Sequence, residues 1–164
     1  MKRIGMILLL GLLCVGAAMA QKVVQGSLAS LRDVRRATVV VDYSEGVIQG
    51  MSEAEYAAYE RHWEKSKPGI NGQFIAAFND RQVRLLITPQ AGPACTMELK
   101  VLNVTRKGEI RAEAVFKDSA TGEVLVVIGG IRVKGGVFGT GLNLMGDGMT
   151  NLGKTLGKYI DRNL

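Results

Sequence analysis

One eight-residue stretch has the residue types and the spacing of a phosphate-binding loop. Residues 148–155 read GMTNLGKT and match the pattern G-x-x-x-x-G-K-[ST] letter for letter. In such a loop backbone amides cradle phosphates, so Lys154 would reach the terminal phosphates and Thr155 the magnesium ion. The loop must follow a buried strand and precede a metal-binding aspartate, yet only nine residues follow Thr155. We therefore predict that the chain binds no nucleotide.

The other chemically capable side chains form no catalytic pattern. His62 is the only histidine, and no G-x-S-x-G motif supplies a serine nucleophile for it. A metal site needs several His, Cys or carboxylate ligands that converge, whereas Glu60 and Glu64 point to different faces of a predicted helix. We predict an exposed His62, no catalytic or metal-ligating residues, no cofactor, and a protein that is not an enzyme.

The two cysteines, Cys14 and Cys95, have different expected fates. Cys14 lies in an apolar run near the amino terminus. If that run is cleaved off, Cys95 is the only thiol left and no internal disulfide can form. A lone thiol in an exported protein either reacts or joins two chains, or it is a small buried residue at a strand start. The pattern favours the buried residue.

The first twenty residues have the pattern of a cleaved signal peptide. Lys2 and Arg3 precede an apolar run over residues 4–15, and residues 18–20 read AMA, with small residues at the two positions that the peptidase recognises. A permanent anchor would need about 18 apolar residues. Lipidation of Cys14 is a second alternative, disfavoured by the bulky Leu13 before it. The pattern predicts an exported protein of the periplasm or cell envelope.

Cleavage would leave 144 of the 164 residues, enough for one domain with a single core. It removes Lys2 and Arg3 and lowers the formal net charge from +6 by two, to +4. The remaining basic residues are interspersed with acids, and a nucleic-acid surface would need a clustered basic face. We therefore expect no nucleic-acid partner, while a weak attraction to anionic lipid headgroups stays open.

The periodicity predicts a polar leading segment over residues 21–35 and one domain over residues 36–164. An interior strand is expected over residues 37–43. The pair Ser52 and Glu55 then predicts a capped helix over residues 53–67, ended by Pro68 and Gly69. Its expected core stripe is Tyr56, Tyr59 and Trp63. A second helix, capped by Asn71, should present Ile70, Phe74 and Phe78.

The second half of the chain predicts strands and a closing helix. One strand is expected over residues 83–87, and three antiparallel strands over residues 96–105, 110–116 and 124–133, joined by turns at Lys107-Gly108 and at residues 118–122. An amphipathic helix should begin near Met145. The fold class is α/β of the α+β type, with a mixed sheet, a three-strand antiparallel meander, two helices after the first strand and one closing helix.

Glycine is concentrated near the end of the chain. Eight glycines lie in residues 129–148, which predicts either a mobile loop or a close approach of backbones. Gly153 and Gly157 follow one turn apart in the closing helix, where each costs about 1 kcal/mol relative to alanine unless close packing requires it. The candidate interaction residues are therefore Gly135, Gly136, Phe138, Gly139, Gly153 and Gly157.

The chain resembles small exported α/β domains of bacterial envelopes. The resemblance rests on the order of these elements, on the hairpin sequence DSATGEVL at residues 118–125 and on the glycine-rich lead into residues 152–158. The chain is similar to the periplasmic domain of the curli secretion channel and to the amino-terminal domain of the Tol-Pal translocation protein. The resemblance implies a scaffold or assembly factor without catalytic residues.

Three functional hypotheses follow. The first is an exported, non-catalytic envelope module for binding or assembly, whose partners are other envelope proteins or further copies of itself through the glycine-rich segment. The second is a carrier of a small apolar or lipidic ligand between the sheet and residues 135–144. The third is weak membrane insertion by residues 135–152, which carry no charge except that of Asp147.

Overall fold

The computed structural model describes residues 20–80 and 84–164. Residues 1–19 of the predicted signal segment, with Cys14, and residue 83 of one predicted strand lie outside the described residues. Seven strands form one sheet in the order β1-β7-β6-β5-β2-β4, with β3 paired to β5. The strands are β1 (Lys22–Gly26), β2 (Arg36–Asp42), β3 (Val47–Ile48), β4 (Leu86–Thr88), β5 (Cys95–Val104), β6 (Ile110–Asp118) and β7 (Val124–Val133). The helices are α1 (Glu53–Tyr59), α2 (Trp63–Asn79) and α3 (Gly141–Asn163), with a short 3₁₀ helix at Leu28–Leu31.

The predicted fold class is confirmed. The strands β5, β6 and β7 form an antiparallel meander, and β2 runs parallel to both β4 and β5, so the sheet is mixed. Alternate residues of the meander enter the core, as their spacing predicted: Met97, Leu99, Ala112, Ala114, Phe116, Val126 and Ile128 are buried. The helix α3 closes the chain and packs on α2 and on the same face of the sheet.

Within residues 20–80 and 84–164, no α-helix packs on the opposite face of the sheet. Its side chains alternate with the buried ones along most of β5 and the first half of β6, which is the pattern of an antiparallel sheet with one solvated face, while Val115 and Val127 on this face are also buried. We call this surface the open face. At one end of it Lys117 pairs with Glu98, and nearby Lys100 approaches Glu45 with 3.7 Å between nitrogen and oxygen.

The predicted boundary between the first two helices is wrong. α1 ends at Tyr59, and α2 begins at Trp63 and continues through Pro68 and Gly69. An interior proline costs a helix about 3 kcal/mol, but here Trp63, Ile70 and Phe74 are buried on both sides of it. The burial of these side chains offsets the lost hydrogen bond, so tertiary packing overrides the local stop signal.

The shifted boundary changes two expected roles. Tyr59 is 70% exposed and not part of the core, because the chain leaves the helix at Glu60 in an extended conformation. Asn71 lies inside α2 and caps nothing; its side-chain oxygen instead accepts a hydrogen bond from the buried Tyr43 hydroxyl at 2.7 Å. The Ser52–Glu55 capping box of α1 is present as predicted.

Two further elements differ from the expectation. The leading segment contributes β1, an edge strand that pairs antiparallel with β7, although its few side chains gave little signal. The helix α3 begins at Gly141 and not near Met145, because Thr140 and Asn143 form a capping box. Within the described residues no helix is both long enough and apolar enough to cross a membrane.

Candidate binding surface

The segment between β7 and α3, residues 134–140, has a base packed tightly against its neighbours. A Cβ atom placed on Gly135 would lie 1.9 Å from the carbonyl oxygen of Lys107 in the β5–β6 turn, and one on Gly136 would lie 2.1 Å from a carboxylate oxygen of Asp147. The Asn151 side chain donates a hydrogen bond to the Lys134 carbonyl at 2.9 Å. The glycines of this stretch predicted either a mobile loop or a close approach of backbones. The structure shows the close approach at Gly135.

The tip of the same segment points away from the fold. Val137 is 83% exposed and Phe138 is 88% exposed, and they are the two most exposed large apolar side chains among the described residues. Gly139 follows with φ +122°, a conformation that glycine adopts without strain. We call Val137 and Phe138 the apolar tip. The structure thus holds two adjacent apolar side chains in water on a base that is fixed at both ends.

The predicted interaction residues therefore separate into two groups. Gly135, Gly136, Phe138 and Gly139 lie in the exposed segment, whereas Gly153 and Gly157 lie on the buried side of α3. A Cβ atom on Gly153 would meet the Phe74 carbonyl oxygen of α2 at 2.4 Å. Gly153 and Gly157 are thus buried within this chain, and Gly153 packs against α2.

The phosphate-loop sequence forms no loop. Residues 148–155 lie inside α3, where backbone amides bond to carbonyls one turn earlier and do not converge on a ligand. The backbone at Gly148 packs against the Gly108 carbonyl oxygen, to which an added Cβ atom would come within 2.1 Å. The glycines that complete the letter pattern thus serve packing between elements.

The remaining reactive residues are separated in space. His62 is exposed at the start of α2, and Cys95 is buried as the first residue of β5, both as predicted. Burial raises the pKa of the Cys95 thiol to about 11, which keeps it protonated at neutral pH. Across residues 20–80 and 84–164 no three His, Cys, Asp or Glu side chains lie close enough to hold a metal ion.

A polar concavity on the open face has no counterpart among the residues predicted from the sequence. Its volume is about 610 Å³, and it lies where β5 and β7 end and β6 begins, beside the β5–β6 turn. Asn103, Arg111 and Arg132 stand directly opposite one another across the three strands. Each arginine occupies an outward position of an alternating strand, but only the strand register shows that the two face each other.

A smaller hollow of about 220 Å³ lies at the other end of the sheet. It is lined by Leu86 and Ile87 of β4 together with Arg36, Asn79 and Thr88, and Leu86 is 39% exposed. The Asn79 side chain both donates to the Ile87 carbonyl and accepts from the Ile87 amide, each at 2.9 Å, and so fixes β4 against α2. We call this site the β4 hollow.

No family model and no curated protein matches this chain. Among solved structures, an uncharacterized protein is similar at 12% identity with a TM-score of 0.45, covering 78% of this chain and 92% of its own. Two crystal forms of the PelC dodecamer from Paraburkholderia phytofirmans are also similar at 12% identity, with TM-scores of 0.44 and 0.45. They cover 86% of this chain and 95% and 96% of their own.

Proposed function

We propose that this protein is an exported, non-catalytic module of the cell envelope that assembles with further copies of itself through the apolar tip of residues 134–140. The observation that carries the proposal is the exposure of Val137 and Phe138 on an anchored segment. The signal pattern of residues 1–20 supports export, and the resemblance to envelope assembly domains supports the same class of function.

The tip has the energetics of a preformed contact. Burying a Val or Phe side chain is worth about 1.5–3 kcal/mol each, and this free energy is not used in the monomer because both side chains are in water. The close packing at Gly135 and Gly136 limits the conformational entropy that binding would cost. An exposed apolar site with a fixed base is typical of an interface residue that inserts into a partner.

The β4 hollow is the complementary site that we propose on the next copy. The apolar side chains on its wall are Leu86 and Ile87 of β4, and its volume is close to that of one large side chain. The tip follows the end of β7, which is level with Val104 at the end of β5, since Ile110 of β6 pairs with both strands. The hollow lies at the level of Cys95, at the start of β5. Ten residues of strand separate the two ends by about 30 Å. A tip-to-hollow contact is therefore head to tail and propagates into a ring or a filament.

The carrier hypothesis receives less support. Its ligand would lie between the sheet and residues 135–144, yet at the base of this segment Gly135 and Gly136 already contact the β5–β6 turn and α3. Membrane insertion over residues 135–152 is also less favoured, because Met145, Met149 and Leu152 are buried in the core.

The oligomeric state of the mature protein tests the proposal. We expect sedimentation velocity or light scattering to show assemblies larger than a monomer at micromolar concentration. A double variant, Val137→Ser with Phe138→Ser, should be monomeric with unchanged thermal stability, since both side chains make few contacts within the chain. Tyr59→Ser is the matched control, because Tyr59 is also exposed but lies on α1, and it should assemble normally.

Two results would contradict the proposal. One is an assembly that the double variant leaves intact. The other is a wild-type protein that stays monomeric at the highest soluble concentration and crosslinks to no envelope component in cells. A third result would change the partner. If the purified chain is monomeric but its tip crosslinks to a different envelope protein in cells, the partner is that protein and not a further copy of this chain.

A further inference from the structure

The concavity of about 610 Å³ on the open face has two rows of polar side chains on its walls. The first row is Asn103 on β5, Arg111 on β6 and Arg132 on β7, paired in register across the sheet. The second row lies one pleat further along, with Thr105, Glu109 and Lys134, and here the Thr105 amide bonds to the Glu109 carbonyl at 2.9 Å. Both rows lie on the open face, where Arg111, Arg132, Glu109 and Lys134 are exposed.

The charge in this concavity is unbalanced. Residues directly opposite on neighbouring strands have Cβ atoms about 5 Å apart, so the Arg111–Arg132 pair places like charges side by side, which is destabilising. The ion pairs among the described residues lie elsewhere and include neither arginine. The carboxylate of Glu109 is directed to the Thr105 hydroxyl, at 3.5 Å. Lys134 adds a third positive charge.

The rest of the open face shows that the sheet can accommodate matched charges. Lys117 on β6 pairs with Glu98 on β5, and Lys100 approaches Glu45. At the end of the same strands an acid opposite Arg111 would give a similar pair, yet Arg132 stands there. The fold thus maintains a local excess of positive charge at a concave site, and an anion bound there would neutralise it.

We propose that Arg111, Arg132 and Lys134 bind the phosphoryl group of a phosphorylated ligand. Guanidinium groups present planar forks of donors that match phosphate oxygens, and two of them with an ammonium group supply donors on three sides. Asn103 and Thr105 line the same wall and can hydrogen-bond to hydroxyl groups of the remainder of the ligand. The volume falls in the range of small-molecule sites, about 300–1,000 Å³. This site does not depend on the apolar tip or on self-assembly.

Titration with inorganic phosphate, at constant ionic strength set with chloride, tests the site. We expect saturable amide shifts in two-dimensional NMR spectra confined to residues 103–111 and 132–134. Arg111→Gln and Arg132→Gln should each weaken binding at least tenfold while the melting temperature stays equal or rises, because the like-charge contact is relieved. Arg61→Gln, which removes an equally exposed arginine between α1 and α2, is the matched control and should bind normally.

A second measurement distinguishes the source of the phosphoryl group. Cosedimentation with vesicles containing phosphatidic acid, against vesicles of phosphatidylcholine alone, would identify a lipid headgroup if it is lost in Arg111→Gln. Shifts with inorganic phosphate or a sugar phosphate but no vesicle binding would identify a soluble ligand. The proposal would be overturned if inorganic phosphate gave no saturable shifts and the protein did not cosediment with phosphatidic acid vesicles. It would also be overturned if Arg61→Gln weakened binding as much as Arg111→Gln does.

Discussion

The absence of a side chain at residue 153 sets the distance between α2 and α3. A Cβ atom there would lie 2.4 Å from the Phe74 carbonyl oxygen, 2.9 Å from the Phe78 amide nitrogen and 3.0 Å from the Cβ atom of Ala77. Two of these three atoms belong to backbone, which cannot rotate away. Glycine has a poor intrinsic propensity for helices, but at residue 153 it lets α3 come into direct contact with α2.

Gly153→Ala should therefore destabilise the protein although alanine is the better helix former. The gain in propensity is about 1 kcal/mol, but separating two packed helices costs more, so we expect a net loss of about 1–3 kcal/mol in the free energy of unfolding. The matched control is Gly72→Ala on α2, where an added Cβ atom meets nothing within 4 Å. It should raise stability by about 0.5–1 kcal/mol. Urea unfolding of both variants measures the difference, and equal effects would contradict this account.

The hairpin between β6 and β7 is organised by one carboxylate. The Asp118 side chain accepts hydrogen bonds from the Thr121 amide at 2.8 Å, the Ala120 amide at 2.9 Å and the Thr121 hydroxyl at 3.1 Å. Gly122, with φ +73°, then turns the chain into β7. The sequence at residues 118–122 therefore encodes its turn locally, and the prediction of a hairpin succeeded for this reason.

The same contacts make the hairpin sensitive to acid. The Thr121 and Ala120 hydrogen bonds lower the pKa of Asp118 below its usual range. A carboxyl whose pKa is lower in the folded state stabilises the fold above its unfolded pKa, near 4, and loses this contribution as pH falls through the folded value. Asp118→Asn should melt below the wild type at pH 7, and the difference in melting temperature should shrink as pH falls through the lowered pKa of Asp118. A difference that persists at low pH would show that charge has no part in the effect.

At the scale of the whole molecule, the two apolar features lie at opposite ends of the sheet. The apolar tip extends beyond the end of β7, and the β4 hollow lies beside Arg36 at the start of β2. One copy cannot bring its own tip to its own hollow because the rigid sheet lies between them. Each copy in the proposed assembly consequently uses both sites, with a different neighbour at each.

A mixing experiment follows from this head-to-tail arrangement. The tip variant of Val137 and Phe138 keeps its hollow, and Leu86→Asp keeps its tip but places a charge in the hollow. Each variant alone should be monomeric, whereas an equimolar mixture should form one-to-one dimers that grow no further. Light scattering of each variant and of the mixture measures this, and a contact between two tips would instead make Leu86→Asp assemble on its own. Leu86 is partly exposed, so Leu86→Asp should fold.

Local signals determined much of this fold. Local signals include the alternation along β5 and β6, the Ser52–Glu55 capping box and the turn at residues 118–122. They depend on neighbours a few residues apart, and the structure has them as predicted. The same reasoning failed at Pro68, where the stop signal is local but the burial of Trp63 and Phe74 is not. It also missed β1, whose strand is defined by pairing with β7 about a hundred residues later.

The fold class, the buried Cys95 and the concentration of glycine between β7 and α3 can be read from short segments, because composition and periodicity are local properties. The roles of those glycines depend on how the elements pack. The tertiary structure buries Gly153 against α2, leaves Phe138 in water and sets Arg111 opposite Arg132. Each of these facts joins residues of different elements, and their distance is fixed by strand register and helix packing, which no single segment contains.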